Sequence, residues 1–254
     1  MGTIAGLIGR LLLSIIATGQ PVLQGDAAEK PVIEFLFPDS GPFLQSVANG
    51  GAVRGPVAAR VEALAAKAGV QINWLGPVPR NRILSDLQDG RVACTANAIQ
   101  TPDRALRFKF TTPLFRDTRW VVVAKAGTTW LDSYPTLGAL LADDTRLYGN
   151  LLGASVGSDI DRLVTQEAGH VRTIRGTPLD LIKMVAAGHV DYVILADDRD
   201  MAMVARAMDL SPDAFVYHRY PDLPGADAGR IMCAQTVPDD VIAAFNRALA
   251  ETPR

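Results

Sequence analysis

Short apolar runs alternate with segments of helical hydrophobic spacing along most of the chain. PVIEFLF, starting at Pro31, predicts a buried strand, and VQINWLG and RVACTANAI predict two more. Between the first two runs, apolar residues recur at helical spacing from Val57 to Ala68, and Gly69 ends the predicted helix. Strands that alternate with helices favour an α/β fold in which a mostly parallel sheet is covered on both faces.

The second half of the chain repeats this pattern. TRLYGNLLGASVGSDIDRLVTQEAG predicts a strand, a glycine loop and a helix, and HVRTI predicts a strand. TPLDLIKMVAAGHVDYVILADD predicts a helix that stops at a glycine, followed by another strand. Its junction VAAGHVDYVILAD parallels LQDGRVACTANAI in the first half, because both combine a helix end, a glycine and an apolar strand. The sequence therefore predicts two similar α/β lobes.

Two extended segments connect the predicted lobes. TTPLFRDTRWVVVAKAGTTW contains the first, and GRIMCAQT contains the second, just before a terminal helix from about Asp239 to Ala250. Two crossings between two lobes are typical of a hinge, and hinged lobes close around ligands. We assign residues 28–116 plus about 220–254 to lobe 1, and residues 117–219 to lobe 2.

The first 30 residues have the pattern of an export signal. Arg10 precedes the apolar segment Leu11–Ala17, and the small-residue pattern Gly25-x-Ala27 follows. The alternative is a membrane anchor, but this segment of seven residues falls well short of the roughly 20 that cross a bilayer. We therefore expect residues 1–27 to be a cleaved signal peptide and the mature protein to be a soluble periplasmic monomer.

Composition and charge exclude several classes of function. The 254 residues are 48% hydrophobic and 20% charged, which suits a well-buried globular protein. The formal net charge of −2 leaves no basic excess for a phosphate backbone, so we expect no nucleic-acid partner. His170, His189 and His218 lie singly and show no metal-ligand spacing, so we expect no metal and no cofactor.

The two cysteines, Cys94 and Cys233, leave two alternatives open. In an oxidising periplasm they can form a single disulfide. Two separated cysteines can equally be small buried apolar residues. The sequence does not choose between a covalent bond and simple packing.

The clearest candidate for binding chemistry lies where the strand RVACTANAI ends. In TPDR, Thr101 is a good N-cap, a proline takes the first helical position, and Asp103 suits the positive end of the helix dipole. Arg104 then places a guanidinium beside free amides at the end of a strand, where open α/β sheets bind ligands. Such a site can grip a carboxylate bidentately. The alternative is a solvated Arg104 that pairs with a surface aspartate.

The stretch around TPDR resembles a known protein family. LSDLQDGRVACTANAIQTPDRALRFKFTTPLF is similar to a stretch of the family 3 extracellular solute-binding proteins, in which L-x-x-G-x-x-D precedes T-x-x-R and then F-(S/T)-x-P. The similarity extends more thinly over PDSGPF, VGSDID and AGHVDYVILADD. The resemblance implies a two-lobed periplasmic-binding-protein fold of type II, joined by a two-strand hinge, and the role of a receptor for an amino-acid ABC transporter.

In the first lobe, the resemblance implies that Arg104 binds the ligand's α-carboxylate and that the backbone of Ile99 and Thr101 lies beside this site. PDSGPF corresponds to the family's first ligand loop, which places Phe43 and Asp39 over the ligand. From the residues alone, Phe43 is equally well a packing residue under a loop.

In the second lobe, Ser158 and Asp159 resemble the helix start that offers amides and a hydroxyl to the same carboxylate. An ordinary N-cap is the alternative for these residues. Asp197 or Asp198 resembles the acid that pairs with a ligand amine, although Asp197 comes one residue later after Asp191 than the family spacing has it. An amino acid is therefore the leading expectation, and the identity of the ligand stays open.

These observations favour a periplasmic receptor that is not an enzyme. We expect it to close its lobes around a small carboxylate-bearing solute, an amino acid or similar, and to deliver that solute to an ABC transporter permease. One alternative is a periplasmic enzyme like cyclohexadienyl dehydratase, which would need Asp39 or Asp197 as an acid in the cleft. A second alternative is an accessory protein that binds no ligand and docks a periplasmic partner.

Overall fold

The computed structural model describes residues 2, 30–47, 52–115, 119–196, 198–225 and 228–252. The predicted signal peptide, residues 1–27, falls outside this part of the chain except for Gly2. Among the helices that the structure describes, none is both long enough and apolar enough to cross a membrane.

The strands and helices that the sequence predicts are present in the predicted order, and the structure adds further elements between them. The strands are β1 (Val32–Leu36), β2 (Gln45–Ser46), β3 (Val53–Arg54), β4 (Gln71–Leu75), β5 (Ala93–Ala98), β6 (Lys109–Phe110), β7 (Trp120–Lys125), β8 (Tyr148–Leu151), β9 (Val171–Ile174), β10 (Tyr192–Ala196), β11 (Phe215–His218) and β12 (Arg230–Cys233). The helices are α1 (Pro56–Ala68), α2 (Arg80–Gln88), α3 (Pro102–Arg107), α4 (Leu137–Leu141), α5 (Ser158–Glu167), α6 (Pro178–Ala187), α7 (Asp198–Ala207) and α8 (Asp239–Ala250). Short 3-10 helices lie at Gly41–Phe43, Trp130–Ser133 and Pro212–Ala214.

Two five-stranded sheets form the two lobes. Lobe 1 has the order β4-β1-β5-β12-β6, and lobe 2 has the order β11-β7-β10-β8-β9. Each sheet contains three neighbouring parallel strands, which are β4-β1-β5 and β9-β8-β10. The next strand, β12 or β7, is antiparallel and is the first to follow a crossing between the lobes. The predicted α/β fold with two lobes and mostly parallel sheets is confirmed.

The two similar junctions of helix, glycine and strand that the sequence contains occupy equivalent places in the two lobes. Helix α2 leads through Gly90 into β5, and α6 leads through Gly188 into β10. Both glycines have positive φ, at 87° and 72°, which the turn from helix to strand requires and which glycine adopts without a steric penalty. The start of α6 is also specified by residues close together in the sequence. Thr177 and Asp180 form a capping box, and Pro178 takes the first helical position.

Each lobe has its own apolar core. In lobe 1, Phe35 and Phe37 from the sheet pack with Leu64 of α1 and Phe245 of α8. In lobe 2, successive side chains of β7 enter separate buried clusters, with 120, 122 and 124 on one face of the sheet and 121 and 123 on the other. Because both faces of that sheet are covered, β7 reads as a continuous apolar run rather than an alternating one.

Cys94 and Cys233 form a disulfide bond inside lobe 1. They lie opposite each other on the antiparallel strands β5 and β12, and both are fully buried. The bond joins residues 139 positions apart, so the loop that it closes contains every strand of lobe 2. The bond therefore holds β12, the strand that returns from lobe 2, in the sheet of lobe 1. It lies within this lobe and not at the hinge.

The segments that cross between the lobes lie side by side. An isolated antiparallel bridge pairs Arg119 with Gly225. The expected boundary at 116/117 falls in residues 116–118, which lie outside the described residues. Tyr220, at the other expected boundary, still packs in lobe 2, where its hydroxyl donates to the Leu131 carbonyl at 2.8 Å.

Candidate functional site

A cavity of about 800 Å³ lies between the lobes. Residues 95–99 at the end of β5 and residues 194–196 at the end of β10 form two sides of its wall. Residues 148–151 of β8 form a third. Ligands of open α/β sheets bind at the carboxyl ends of parallel strands, and small-molecule sites span about 300 to 1,000 Å³. The cavity therefore has the position and the size of a site for a small molecule.

Arg104 lines this cavity from the short helix α3. Thr101 caps the helix, because its hydroxyl oxygen accepts a hydrogen bond from the backbone N–H of Arg104 at 3.2 Å. The guanidinium donates to the carbonyl of Ile99 at 3.0 Å and to the carbonyl of Gly153 at 3.2 Å. Gly153 belongs to lobe 2, so the Arg104 side chain spans the cleft.

The surface aspartates that could neutralise Arg104 are engaged elsewhere. Asp103 pairs with Arg107, one turn further along α3. Asp86 pairs with Arg82 and with Arg91. Arg104 is partly buried, and this burial lowers the pKa of its guanidinium, an effect that the carboxylate of Asp161 opposes. The side chain remains charged, and it faces a cavity and not bulk water.

A second arginine, Arg80, also lines the cavity, although no sequence pattern pointed to it. It is the first residue of α2, and its guanidinium donates to the Ser40 hydroxyl of lobe 1 at 3.0 Å and to the Gly176 carbonyl of lobe 2 at 3.1 Å. Burial lowers the pKa of Arg80, and nearby Asp39 opposes this shift. Arg80 is the first residue of the helix that follows β4, and Arg104 lies in the first turn of the helix that follows β5. This similar position is the signal that could have found Arg80.

The two lobes are in contact around the cavity. Phe43 of lobe 1 lines the cavity and packs against the buried clusters of both lobes. At Gly41, whose φ is +62°, a Cβ atom would lie 2.6 Å from a δ-methyl group of Leu179 of lobe 2, so the absence of a side chain lets the loop lie close to the second lobe. The structure is therefore a closed arrangement.

In lobe 1, three of the five residues proposed from the sequence line the cavity, and Thr101 and Asp39 do not. Arg104, Ile99 and Phe43 are part of its wall, and Thr101 supports Arg104 from behind. The exposed side chain of Asp39 instead accepts a hydrogen bond from the backbone N–H of Gly41 at 2.8 Å and shapes the turn. It does not line the cavity.

In lobe 2, the loop before α5 faces the cavity in place of the helix start. Residues 153–156 belong to the wall, whereas Ser158 and Asp159 do not. The carboxylate of Asp161 holds this loop, because it accepts hydrogen bonds from the Ser155 hydroxyl and from the backbone N–H of Val156. Asp197 lies outside the described residues.

The rest of the wall is largely apolar and aromatic. Trp120 is only 8% exposed, and its indole Nε1 has no hydrogen-bond acceptor among the described residues. Burial raises the pKa of another wall residue, Tyr148, so its hydroxyl remains protonated. Within the described part of the wall, Arg80 and Arg104 are the charged side chains, and no group of residues there has the composition of a metal site.

Comparison with known proteins agrees with this architecture. The family model for bacterial extracellular solute-binding proteins, family 3, matches residues 37–253. A search of curated protein sequences finds no significant match.

Solved structures with the same fold include several amino-acid receptors. The amino acid ABC transporter substrate-binding protein AbpA from Streptococcus pneumoniae, bound to L-arginine, has a TM-score of 0.65 at 18% identity, with 88% of each chain covered. The arginine-, lysine-, histidine-binding protein ArtJ from Geobacillus stearothermophilus has a TM-score of 0.67 at 16% identity, over 87% of this chain and 88% of that one.

A third similar structure is the ancestral amino acid-binding protein AncCDT-1, a precursor of cyclohexadienyl dehydratase. It has a TM-score of 0.67 at 17% identity, over 87% of this chain and 88% of that one. The family model covers most of the chain, and the order of strands, the two lobes and the cavity between them agree with it. The chain therefore belongs to the bacterial extracellular solute-binding proteins, family 3.

Proposed function

We propose that this protein captures a small carboxylate-bearing solute, an amino acid or a similar acid, between its lobes and delivers it to an ABC transporter. The observation that carries the proposal is the placement of Arg104. Its guanidinium lines the cavity at the end of β5 and also donates across the cleft to lobe 2. A carboxylate held there would contact the residue that joins the lobes, so binding and closure would be coupled.

The first contacts of the ligand follow from the donors around the cavity. Arg104 would hold a carboxylate through donors that the Ile99 and Gly153 carbonyls leave free, since a guanidinium has five N–H groups. Ile99 and Phe43 would pack against the ligand beside it.

The similar structures support an amino-acid type of ligand. AbpA is bound to L-arginine, and ArtJ is described as binding arginine, lysine and histidine. All of these ligands carry an α-carboxylate, which Arg104 is placed to accept in this chain. The role of Asp197 as the partner of a ligand amine stays a prediction.

The family and the leader sequence support export and an ABC transporter partner. The family comprises extracellular proteins, and residues 1–27 have the charge and apolar pattern of a cleaved signal peptide. We place the mature protein in the periplasm as a monomer that docks the permease of an ABC transporter in its closed form.

Catalysis is a weaker candidate than binding. AncCDT-1 shows that this fold occurs in an amino acid-binding precursor of a dehydratase, and such chemistry needs an acid in the cleft. Asp39, one of the two acids considered, turns its carboxylate to the backbone of Gly41 and does not line the cavity. We expect no turnover of prephenate or arogenate by the purified protein.

A thermal-shift screen of amino acids, small organic acids and amines tests the proposed function. We expect at least one carboxylate-bearing compound to raise the Tm by about 5 to 10 °C, because a ligand at about 100 times its Kd adds roughly 2.7 kcal/mol to the stability of the folded state. The decarboxylated amine of the same compound is the matched control and should produce no shift. Stabilisation by amines alone, or by no compound in the panel, contradicts the proposal.

A further inference from the structure

The cavity wall contains two guanidinium groups whose described contacts are all with neutral groups. Arg104 donates to two backbone carbonyls, and Arg80 donates to one carbonyl and one hydroxyl. Among the described residues, neither guanidinium has a carboxylate oxygen within 4.0 Å. A partly buried charge that lacks a counter-charge is unfavourable, and an anion that binds beside it relieves that cost.

Acids close to these arginines in the sequence have other partners. Asp103 pairs with Arg107, and Asp86 pairs with Arg82 and Arg91. Asp39 is near enough to Arg80 to oppose the burial effect on its pKa, but its carboxylate bonds to the backbone N–H of Gly41. Asp161 of lobe 2 opposes the burial effect on the pKa of Arg104, but its carboxylate accepts hydrogen bonds from the Ser155 hydroxyl and the backbone N–H of Val156. Arg80 and Arg104 are thus the charged side chains of the described cavity wall, and the carboxylates near them bond to other groups.

The two arginines lie on the same side of the cavity. Arg104 donates to the carbonyl of Gly153, and a Cβ atom on Gly153 would lie 3.2 Å from the Cβ of Arg80. Gly153 has a φ of +76° and no side chain, so the loop after β8 fits closely against the start of α2. Both arginine residues therefore meet the same loop, and both side chains line the same cavity.

We infer that the cavity takes a dicarboxylate, with one carboxylate on Arg104 and the second on Arg80. This inference rests on the proposed function and adds the class of ligand and a residue that determines specificity. Arg80 is suited to the role because its guanidinium forms a planar fork that matches a carboxylate. Its bonds to Ser40 and Gly176 use two of its donors and fix its orientation from both lobes.

Matched acids and monoamides test the inference by calorimetric titration. The probes are succinate, glutarate, phthalate and L-glutamate, each compared with the monoamide that removes one charge at nearly constant shape: succinamate, glutaramate, phthalamate and L-glutamine. We expect at least one diacid to bind the wild-type protein 10-fold or more tightly than its monoamide, because the monoamide lacks the charge that strengthens a hydrogen bond to a guanidinium. Arg80→Gln should weaken the diacid by about the same factor and change the monoamide by less than about 3-fold.

Arg82→Gln is the matched control, because Arg82 lies two residues further along α2, is exposed and does not line the cavity. It should change neither affinity. Equal affinity for diacid and monoamide in the wild type overturns the inference. An equal loss for both ligands in Arg80→Gln also overturns it, since Arg80 would then only hold the lobes together.

The test separates this inference from the proposed function on which it rests. If a monocarboxylate found in the thermal-shift screen binds and none of the four diacids does, the receptor function stands and the dicarboxylate inference is wrong. If no carboxylate of any kind binds, both fail.

Discussion

Replacement of Arg104 by alanine is expected to weaken binding of a carboxylate ligand by about 30-fold or more, measured by calorimetric titration. The guanidinium lines the cavity and is held there by the carbonyls of Ile99 and Gly153. Its removal would leave the ligand's carboxylate without a charged partner in a closed cleft, at a cost of about 2 to 5 kcal/mol. The substitution also removes the hydrogen bond from Arg104 to the Gly153 carbonyl of lobe 2, and this further weakens binding.

Two further variants identify the cause of this loss. Arg104→Lys should recover only part of the affinity, because an ammonium group cannot reproduce the bidentate fork. Arg107→Ala is the matched control, since Arg107 is exposed on the same helix and pairs with Asp103. It should leave binding within about 3-fold of the wild type. Unchanged affinity in a folded Arg104→Ala protein would mean that this arginine does not hold the ligand.

Removal of the disulfide is expected to lower the free energy of unfolding by about 3 to 5 kcal/mol. The Cys94–Cys233 bond closes a loop across 139 positions, and loops of this length lose much conformational freedom in the unfolded chain when they are closed. The double variant Cys94→Ala, Cys233→Ala should therefore unfold at a lower urea concentration than the oxidised wild type.

Ligand affinity and mass are the controls for that variant. Neither cysteine lines the cavity, so the double variant should bind its ligand within about 3-fold of the wild type. The intact mass of the oxidised wild type should be two hydrogens below the fully reduced value. Free thiols in the folded protein, or equal stability of the two proteins, would contradict this account of the bond.

The fold could be predicted from the sequence because its signals are local and repeated. The helix end, glycine and apolar strand at Gly90 recur at Gly188, and the structure places them at equivalent positions in the two lobes. The Cys94–Cys233 pairing could not be predicted, because it depends on β12 returning from lobe 2 to lie against β5. That contact joins residues far apart in the chain, and no local pattern specifies it.

The candidate site shows the same division between local and long-range information. Arg104 could be placed because a capping threonine and a strand end, both within a few residues, set its direction. Arg80 was missed because its position matters only when the Ser40 loop and Gly176 of the other lobe come together around it. Asp39 looked like a ligand residue by sequence, but a two-residue turn to Gly41 uses its carboxylate.

The crystal structure of the complex with the strongest ligand from the thermal-shift screen tests the central claim most directly. The account predicts one ligand in the cavity between the lobes, with a carboxylate oxygen within about 2.7 to 3.2 Å of the Arg104 guanidinium and with residues 153–156 against it. A ligand bound on the outer surface of either lobe, or one inside the cavity whose carboxylate does not contact Arg104, would contradict it.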